Sequence, residues 1–288
     1  MIARVPPGAK LTRTELLCEL GLSPQWRLRG QPVRAGATAG VHEVAVKPSL
    51  VQGPLAAGAG VAPAASTPVV AAALGRSEEI AAMDWQELRQ SVAACRACAL
   101  CQERRQAVLG VGDRAADWLF IGEAPGAEED ARGEPFVGPA GQLLDAMLAA
   151  IELRRGSDVY IANAVKCRPP NNRTPEGAEI ERCAPYLRRQ IALLQPRLIV
   201  LLGRAAVNAL LGDIGSLASL RGRSLEYRGP EAAARAIPVL VTYHPAYLLR
   251  TLTDKAKAWE DLCRARALMR AAKASAATTA ARGSAEPA

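Results

Sequence analysis

The chain has 288 residues, half of them hydrophobic, with a formal net charge of +8 and a pI near 9.4. This length allows one or two domains, and the basic balance fits a polyanionic partner. No apolar run reaches the roughly 18 residues that span a bilayer, and the amino terminus lacks the apolar core of a secretory signal. We therefore expect a cytoplasmic protein with no membrane partner, whose seven cysteines serve metal or cluster ligation rather than disulfides.

The first 81 residues differ in composition from the rest. Residues 11–29, LTRTELLCELGLSPQWRLR, predict a short helix that ends at Gly21, followed by an extended piece with Trp26. From Gly30 to about Gly75 the chain is rich in Ala, Gly, Pro and Val with little periodicity, which is typical of a flexible linker. The alternative is a small β-domain that uses VHEVAVKPSLV. We predict that residues 1–81 are a mostly disordered extension with a candidate partner-binding peptide at 11–29.

Order is expected to return at Ser77, because Ser77 and Asp84 each look like a helix cap followed by acidic residues. Four apolar runs then alternate with helical patterns, which is typical of parallel βαβ units. The predicted strands are Trp118–Ile121, Val159–Val165, Leu198–Leu202 and Val239–Val241, and the predicted helices are Gly141–Ile151, Glu176–Leu194, Ala205–Leu211 and about Lys255–Ala272. Such apolar strands suit a sheet covered on both faces. We predict an α/β domain over residues 82–272 and a disordered tail over 273–288.

The stretch from Gly122 to Leu144, GEAPGAEEDARGEPFVGPAGQLL, connects the first predicted strand to the following helix. It begins at the carboxyl end of its strand, where open α/β sheets bind ligands. A loop of this length between apolar runs is usually functional. Its candidate functional side chains are four acids and one aromatic residue: Glu123, Glu128, Glu129, Asp130 and Phe136.

The cysteines are spaced as metal ligands. Cys95 and Cys98 are three residues apart, so one turn can present both thiols to a common centre. Cys167 follows the second predicted strand, and Cys183 lies in the next predicted helix. Two close and two distant cysteines are typical of a four-thiolate site for zinc or an iron–sulfur cluster. Cys101 competes for a place, because 95, 98 and 101 follow the same three-residue step.

Two polar residues lie at or near strand ends. His244 directly follows the last predicted strand, and Asn163 interrupts the apolar run VYIANAV. A buried amide must be hydrogen-bonded, either to a neighbouring loop or to a flat, amide-like ligand that matches its donor and acceptor. Phe136 is either part of the core or a stacking surface for such a ligand.

Six motifs follow one another along the chain: GEAPGAEED, GEPFVGPAGQLL, YIANAVKCRPPNNRTP, LIVLLGRAA, LRGR and TYHPAYLLR. Over roughly Met83 to Met269 the chain resembles the family 4, iron–sulfur uracil-DNA glycosylases. The resemblance implies a three-layer α/β/α sandwich with a central four-stranded parallel sheet, and a monofunctional enzyme that releases uracil from DNA in base excision repair. It also implies a [4Fe–4S] cluster on four cysteines: Cys95, Cys98, Cys167 and Cys183. By the family's pattern Cys101 is not a ligand.

The resemblance further implies how the substrate, uracil-containing DNA, is bound. Phe136 stacks on the flipped-out base, and Asn163 reads the uracil edge at O4 and N3–H. The backbone of three residues closes the pocket: Gly122, Glu123 and Ala124.

The same resemblance assigns the chemistry. His244 donates a hydrogen bond to uracil O2 and stabilises the developing anion, as an oxyanion hole does. Glu123 stabilises the cationic sugar or positions the water, and Asn172 is a further candidate for positioning the water. Ala124 stands where the wider superfamily carries an aspartate, so the carboxylate must come from elsewhere. Two other loop acids are alternatives, either as that carboxylate or as loop caps: Glu129 and Asp130.

Basic residues in or beside the motif loops are expected to contact DNA phosphates: Lys166, Arg168, Arg173, Arg221, Arg223 and Arg250. Tyr247 or Leu248 is expected to fill the gap left by the flipped base. The alternative function is a non-catalytic iron–sulfur protein of the same fold that binds DNA or acts as a scaffold. The joint presence of Glu123, Asn163 and His244 disfavours that alternative.

Residues 11–29 lie outside this resemblance. LLCELGLSPQWRLRG resembles the amino-terminal peptide of the psi subunit of bacterial DNA polymerase III, which docks onto the clamp loader. Leu16, Leu17, Leu20 and Trp26 are residue types that supply binding energy when a helix docks into a groove. We expect a monomer whose extension tethers it to the clamp loader through the linker.

Overall fold

The computed structural model of the protein describes residues 68–229 and 235–283. The predicted peptide at 11–29, the alternative β-domain and most of the predicted linker lie outside these residues. Within the described ranges, no helix is both long enough and apolar enough to cross a membrane.

Strands and helices alternate along the described chain, as the sequence predicts. The strands are β1 Val111–Gly112, β2 Trp118–Gly122, β3 Val159–Asn163, β4 Leu198–Leu202, β5 Leu225–Tyr227 and β6 Ile237–Thr242. The helices are α1 Pro68–Ala82, α2 Trp85–Ala94, α3 Ala127–Arg132, α4 Pro139–Ala150, α5 Gly177–Leu194, α6 Arg204–Leu211, α7 Leu217–Leu220, α8 Pro245–Arg250 and α9 Lys255–Gly283. Short 3-10 turns cover Ala99–Cys101, Pro170–Asn172 and Leu252–Asp254.

The strands form one sheet in the order β1-β3-β2-β4-β6-β5. The four central strands are parallel, which confirms the predicted parallel sheet, and β1 and β5 add antiparallel edges. These edge strands have two and three residues, too few for a hydrophobic pattern to reveal them. Because β2 pairs with β3 on one side and β4 on the other, the order reverses beside β2. Ligands bind at such a switch point in open α/β sheets.

Helices cover both faces of the sheet. Successive residues of a strand point to opposite faces. Leu119 and Ile121 of β2 pack in a buried cluster with residues of α1, α2, α5 and α6. Trp118 and Phe120 of the same strand pack in a second cluster with residues of α4, α8 and α9. Two apolar layers on one central sheet make the predicted three-layer α/β/α sandwich.

The two predicted helix starts had different outcomes. Asp84 caps α2: its Oδ1 accepts from the backbone N–H groups of Gln86 and Glu87 at 2.7 and 2.8 Å, and Glu87 caps in return. Ser77 does not begin a helix, since it lies inside α1. A serine followed by acids resembles a cap even inside a helix, and the Ala- and Val-rich first half of α1 carries no start signal of its own.

The last helix begins at Lys255, close to the predicted start, and continues through Gly283, beyond the predicted domain end at residue 272. Lys273 lies in this continuation and forms ion pairs with Asp117 and Asp158 at 2.9 and 3.1 Å. These acids precede β2 and β3, so the helix is attached to the amino-terminal end of the sheet. Alanine has the highest helix propensity of all residues, which favours continuation through this segment.

Candidate functional site

The predicted site residues meet at the carboxyl ends of the central strands. Gly122 ends β2 and pairs in register with Asn163, which ends β3. Gly203 follows β4, and His244 lies two residues beyond β6. A Cβ built on Gly203, whose φ is +92°, would lie 3.0 Å from the Cβ of His244. The parallel topology thus brings the ends of the four central strands, and the residues that follow them, into one place.

Gly122 leaves room for the two side chains that flank it. A Cβ at this position would overlap both Asn163 Oδ1 and the ring of Phe136. Asn163 is only 2 % exposed, and its Oδ1 has no hydrogen-bond partner among the described residues. An unpaired buried acceptor is disfavoured by about 1–3 kcal/mol, so its position indicates where a ligand donor belongs.

Phe136 lies on the loop before α4 and is buried in the second core cluster. Its ring also faces the imidazole of His244, with centroids 5.4 Å apart and planes inclined by 29°. The ring therefore belongs to the core and also lies beside His244 and Gly122, while its role as a stacking surface stays a prediction. Its φ is +56°, a left-handed conformation that is uncommon for a bulky residue.

His244 caps α8 with its side chain, because its Nδ1 accepts from the backbone N–H of Ala246 at 3.2 Å. Burial and the nearby Arg250 lower the pKa of His244 to about 4, against a smaller opposing effect of Glu129. The ring is therefore neutral at pH 7. A neutral imidazole that accepts through Nδ1 carries its proton on Nε2, which is left as a hydrogen-bond donor.

Glu123 follows Gly122 directly and is partly buried. Burial raises the pKa of its carboxyl, partly offset by a hydrogen bond from Thr174. Thr174 belongs to the loop that contains Asn172, so this loop lies against the Glu123 side chain. Asn172 itself is exposed, has a φ of +54°, and accepts at Oδ1 from Arg168 Nε at 2.7 Å. The remaining predicted pocket residue, Ala124, packs against the first core cluster.

Two other loop acids, Glu129 and Asp130, accept hydrogen bonds from backbone N–H groups. Glu129 Oε1 accepts from the N–H groups of Val137 and Gly138 at 2.9 and 3.1 Å. Asp130 is buried, and its two carboxylate oxygens accept from the backbone N–H of Arg105 at 2.9 and 3.0 Å. The loop-capping alternative is therefore the one that the structure supports. Their carboxylates organise the loop, which leaves Glu123 as the candidate for chemistry.

A second site lies on the α2–α5 side of the sheet. One cavity is lined by the four cysteines that the sequence predicts as cluster ligands: Cys95, Cys98, Cys167 and Cys183. Cys101 is not among its lining residues. Within the part of the chain that the structure describes, no group of three or more His, Cys, Asp or Glu side chains is arranged to hold a single metal ion. The four thiols thus surround a common space without forming a compact one-ion site.

Hydrogen-bond donors surround these sulfurs. Arg104 Nη1 donates to Cys167 Sγ at 2.8 Å, and the backbone N–H of Lys166 donates to Cys183 Sγ at 3.3 Å. Burial raises the pKa of Cys183 to about 12. Burial thus favours the neutral thiol, while the surrounding N–H donors favour negative charge on sulfur.

The pattern of the uracil DNA glycosylase superfamily matches residues 109–263, which contain the strand-end pocket and two of the four cavity cysteines. The chain belongs to this superfamily.

Relatives identify the branch of the superfamily. A type-4 uracil-DNA glycosylase of Pyrobaculum aerophilum is 44 % identical over 184 residues, which cover 62 % of this chain and 92 % of that protein. One of Thermotoga maritima is 39 % identical over 184 residues, covering 63 % and 92 %. A type-5 uracil-DNA glycosylase of Thermus thermophilus is 34 % identical over 165 residues, covering 46 % and 74 %. Similarity is greater to the type-4 proteins, which confirms the resemblance to family 4.

In this uracil-DNA glycosylase fold, two of the predicted phosphate contacts are wrong. Lys166 is 1 % exposed, and its Nζ donates to the carbonyl of Asn163 at 2.8 Å and to Gln190 Oε1 at 2.6 Å. Arg221 donates to the buried carboxylate of Asp261 at 2.6 and 3.1 Å. Both cations are therefore structural. Nothing in the local sequence distinguishes a buried lysine from a solvated one, because the partners come from distant segments.

The predicted wedge residues also have other roles. Leu248 is 1 % exposed in the core, and the Tyr247 hydroxyl donates to Asp254 Oδ2 at 2.6 Å. Their neighbours Leu249 and Leu252 are 41 % and 63 % exposed. The helical turn of α8 thus points Leu248, the first leucine of the pair, inward and Leu249, the second, outward, which residue types alone do not reveal.

Two residues that support Phe136 are not singled out by the sequence. Gly141 lies inside α4, and a Cβ there would overlap the backbone carbonyl of Phe136. A glycine within a helical pattern is a usable signal of close packing. Arg155 donates hydrogen bonds to the carbonyls of Pro135 and Phe136. No sequence pattern distinguishes such an arginine from any other arginine in a polar turn.

Proposed function

We propose that this chain is a monofunctional uracil-DNA glycosylase, which hydrolyses the N-glycosidic bond of uracil in DNA and leaves an abasic site for base excision repair. The observation that carries the proposal is the unpaired, buried Oδ1 of Asn163 beside Phe136 and His244. Membership of the superfamily and the names of the relatives support the same activity.

The pocket suits the edge of uracil. A base inside a duplex is unreachable, so it must first be flipped out of the stack. Uracil presents an N3–H donor and an O4 acceptor, which match the Oδ1 acceptor and the amide donor of Asn163. Cytosine presents the opposite pattern and would leave the amide unmatched. The ring of Phe136 offers a flat face for stacking, and Gly122 keeps the space between them open.

His244 is suited to the departing base. Breaking the bond between N1 and C1′ leaves the electron pair on uracil and positive charge on the deoxyribose. The Nε2–H of the neutral ring would donate to uracil O2 and stabilise the anion, which later takes its proton from solvent. Because the hydrogen bond itself is the stabilising interaction, His244 need not change its charge.

Glu123 and Asn172 are proposed for the sugar side of the reaction. The carboxylate of Glu123 would stabilise the cationic sugar or orient the water whose oxygen bonds to C1′ and whose proton leaves to the carboxylate or to solvent. Asn172 lies two residues before Thr174, which bonds Glu123, and this proximity supports a role in positioning the same water.

We further propose a [4Fe–4S] cluster on Cys95, Cys98, Cys167 and Cys183. The shared cavity, the four-sulfur donor set and the N–H groups directed at sulfur support it. Bound there, the cluster would join the end of α2, the end of β3 and α5 through iron–thiolate bonds. The steps of base excision are assigned to the pocket residues alone.

DNA binding is proposed on the face around the pocket. Arg223 and Arg250 are exposed beside motif loops and can contact phosphates without reading sequence. Leu249 and Leu252 are exposed on the segment that follows His244, which supports them as the wedge in the gap left by the flipped base.

The clamp-loader contact of residues 11–29 remains a proposal from the sequence. A peptide of residues 1–30 is expected to bind the clamp-loader complex of the same organism, and Trp26→Ala is expected to abolish binding without changing uracil excision. Fluorescence anisotropy measures this directly. No binding at about tens of micromolar would remove the hypothesis, since tethering through weaker contacts has little effect.

The proposed activity is tested with an oligonucleotide that contains a single uracil. The iron-loaded chain is expected to release free uracil and leave an alkali-labile site, while the same oligonucleotide with cytosine stays intact. A chain that retains its iron and binds the oligonucleotide without releasing uracil would instead support the non-catalytic, DNA-binding alternative.

A further inference from the structure

The backbone at Phe136 is held in a conformation that its side chain disfavours. Its φ of +56° lies in the left-handed region, and Gly141 of α4 packs directly against its carbonyl. Such conformations persist only where the surrounding structure over-determines them, and they cluster at ligand-binding sites. The contacts that hold this peptide therefore decide where the aromatic ring stands.

Arg155 holds the carbonyl side of the segment. Its Nη1 donates to the carbonyl of Pro135 at 2.9 Å, and its Nη2 donates to the carbonyl of Phe136 at 2.8 Å. The carboxylate of Asp145 on α4 accepts from Nε and Nη2 of the same guanidinium at 3.1 and 2.9 Å. One planar fork thus joins two successive carbonyls to a helix, a geometry that lysine cannot reproduce.

Glu129 holds the amide side. It accepts from the N–H groups of Val137 and Gly138, the two residues that follow Phe136. The Arg155 cation thus holds the carbonyls of Pro135 and Phe136, and the Glu129 carboxylate holds the N–H groups of the two residues that follow. The Phe136 peptide is fixed from both directions by side chains, neither of which belongs to the strand that carries Asn163.

We propose that Arg155 is a positioning residue for base recognition: through the Pro135 and Phe136 carbonyls it sets the ring of Phe136 parallel to the flipped uracil. Glu129 acts from the opposite side, and Asp145 orients the guanidinium. Arg155 does not touch the base. The inference rests on the proposed function and names a residue that determines how well its pocket stacks uracil.

The test compares Arg155→Ala, Arg155→Lys and, as a matched control, Arg154→Ala at the exposed neighbouring arginine. Binding of free uracil is measured by ligand-observed NMR, and excision is measured by single-turnover kinetics. Arg155→Ala is expected to weaken uracil binding about tenfold and to slow excision by a similar factor, the order expected when a base–aromatic stack is disturbed. Arg155→Lys is expected to restore little, and Arg154→Ala is expected to behave as wild type.

A double-mutant cycle with Phe136→Ala separates positioning from general stability. If Arg155 acts through the ring, Arg155→Ala has no further effect once the ring is gone. Equal effects of Arg155→Ala with and without Phe136 would overturn the proposal, and so would wild-type uracil binding by Arg155→Ala. A chain that binds uracil with the expected variant pattern but releases none would overturn the proposed function and retain the positioning role.

Discussion

In the strand-end pocket a buried acceptor, Asn163 Oδ1, has no partner among the described residues, whereas in the cysteine cavity donors already point at the sulfurs. The pocket therefore suits a ligand that donates a hydrogen bond, and the cavity suits a group that accepts them. This difference separates the proposed substrate pocket from the proposed cofactor site. The two sites are distinguished by an acceptor without a described partner in the pocket and by donors directed at sulfur in the cavity.

The two sites are nevertheless linked by short covalent and hydrogen-bonded connections. The backbone N–H of Lys166 donates to Cys183, while its Nζ donates to the carbonyl of Asn163. Asp130, beside the Glu129 that holds the Phe136 loop, binds the backbone at Arg105, a few residues after the CxxC pair. Loss of the cysteine site is therefore expected to disturb the pocket. A change at His244, which makes none of these connecting contacts, is expected to leave the cysteine site intact.

The largest expected effect comes from the cysteines. Wild-type protein should be yellow-brown, with about four iron and four sulfide per chain, and Cys167→Ala should lose its colour and its solubility because a buried ligand is removed. Cys101→Ala is the matched control and should keep both, since Cys101 does not line the cavity. Absorbance and iron analysis check this. A colourless zinc protein from anaerobic purification, or a colourless Cys101→Ala, would contradict the assignment.

The second-largest effect is expected from His244→Ala. Removing one donor to a developing anion lowers rates by roughly 10² to 10³, so single-turnover excision should fall by that factor. DNA binding and iron content should change little, because His244 lies in the pocket and not in the cavity. Excision by His244→Ala at the wild-type rate would exclude its proposed role.

Asn163→Asp should alter the choice of base. A carboxylate cannot donate to uracil O4, so the preference for uracil over cytosine should fall roughly 10- to 100-fold, as expected when a bidentate reader is lost. Competition between the two oligonucleotides measures the ratio. Asn208→Asp on α6 serves as the control, and an unchanged ratio in Asn163→Asp would show that the amide does not read the base.

Replacing Leu249 and Leu252 together by alanine should have a smaller, substrate-dependent effect. A wedge matters only where a base is withdrawn from a stack, so excision from duplex DNA should slow several-fold and excision from single strands should not change. Leu268→Ala on α9, also exposed, is the control. Equal slowing on both substrates would remove the wedge assignment.

The smallest expected effect is a shift in pH dependence. His244 is neutral above its lowered pKa of about 4, so excision should not vary with its titration near neutrality. Below that value Nδ1 gains a proton and can no longer accept from the Ala246 N–H, so the contact that orients the ring is lost and excision should fall. The unfolded chain takes up this proton near the ordinary pKa of 6.5, so folding stability falls as the pH drops between the two values. Arg250→Ala removes a nearby cation and should move the acid limb to higher pH.

The control for that profile is Arg228→Ala, an exposed arginine at the end of β5, which should leave the acid limb in place. Single-turnover rates across the acid range decide between them. An acid limb that is the same in wild type and Arg250→Ala would assign the titration to another group, such as Glu123.

Site residues marked by a local sequence pattern were predictable, and residues whose role depends on distant partners were not. Gly122 ends one apolar run and His244 lies two residues beyond another, so their place near the strand ends follows from the apolar pattern. Spacing indicated the cysteines as candidates, the long loop indicated Phe136, and the resemblance excluded Cys101 and assigned each remaining residue a role. Lys166, Arg221 and Leu248 were misread because burial depends on partners from distant segments, namely Gln190, Asp261 and the second core cluster.

The sequence by itself determined the alternation of strands and helices, the parallel sheet at the centre and the motif order, because each depends on residues close together along the chain. Only the tertiary structure decided that Asn163 Oδ1 has no partner among the described residues, that His244 accepts through Nδ1, and that Arg155 and Glu129 hold the Phe136 segment from opposite sides. Whether a polar atom is hydrogen-bonded or buried depends on all the residues around it in space. Folding brings those residues together from segments tens of positions apart in the sequence.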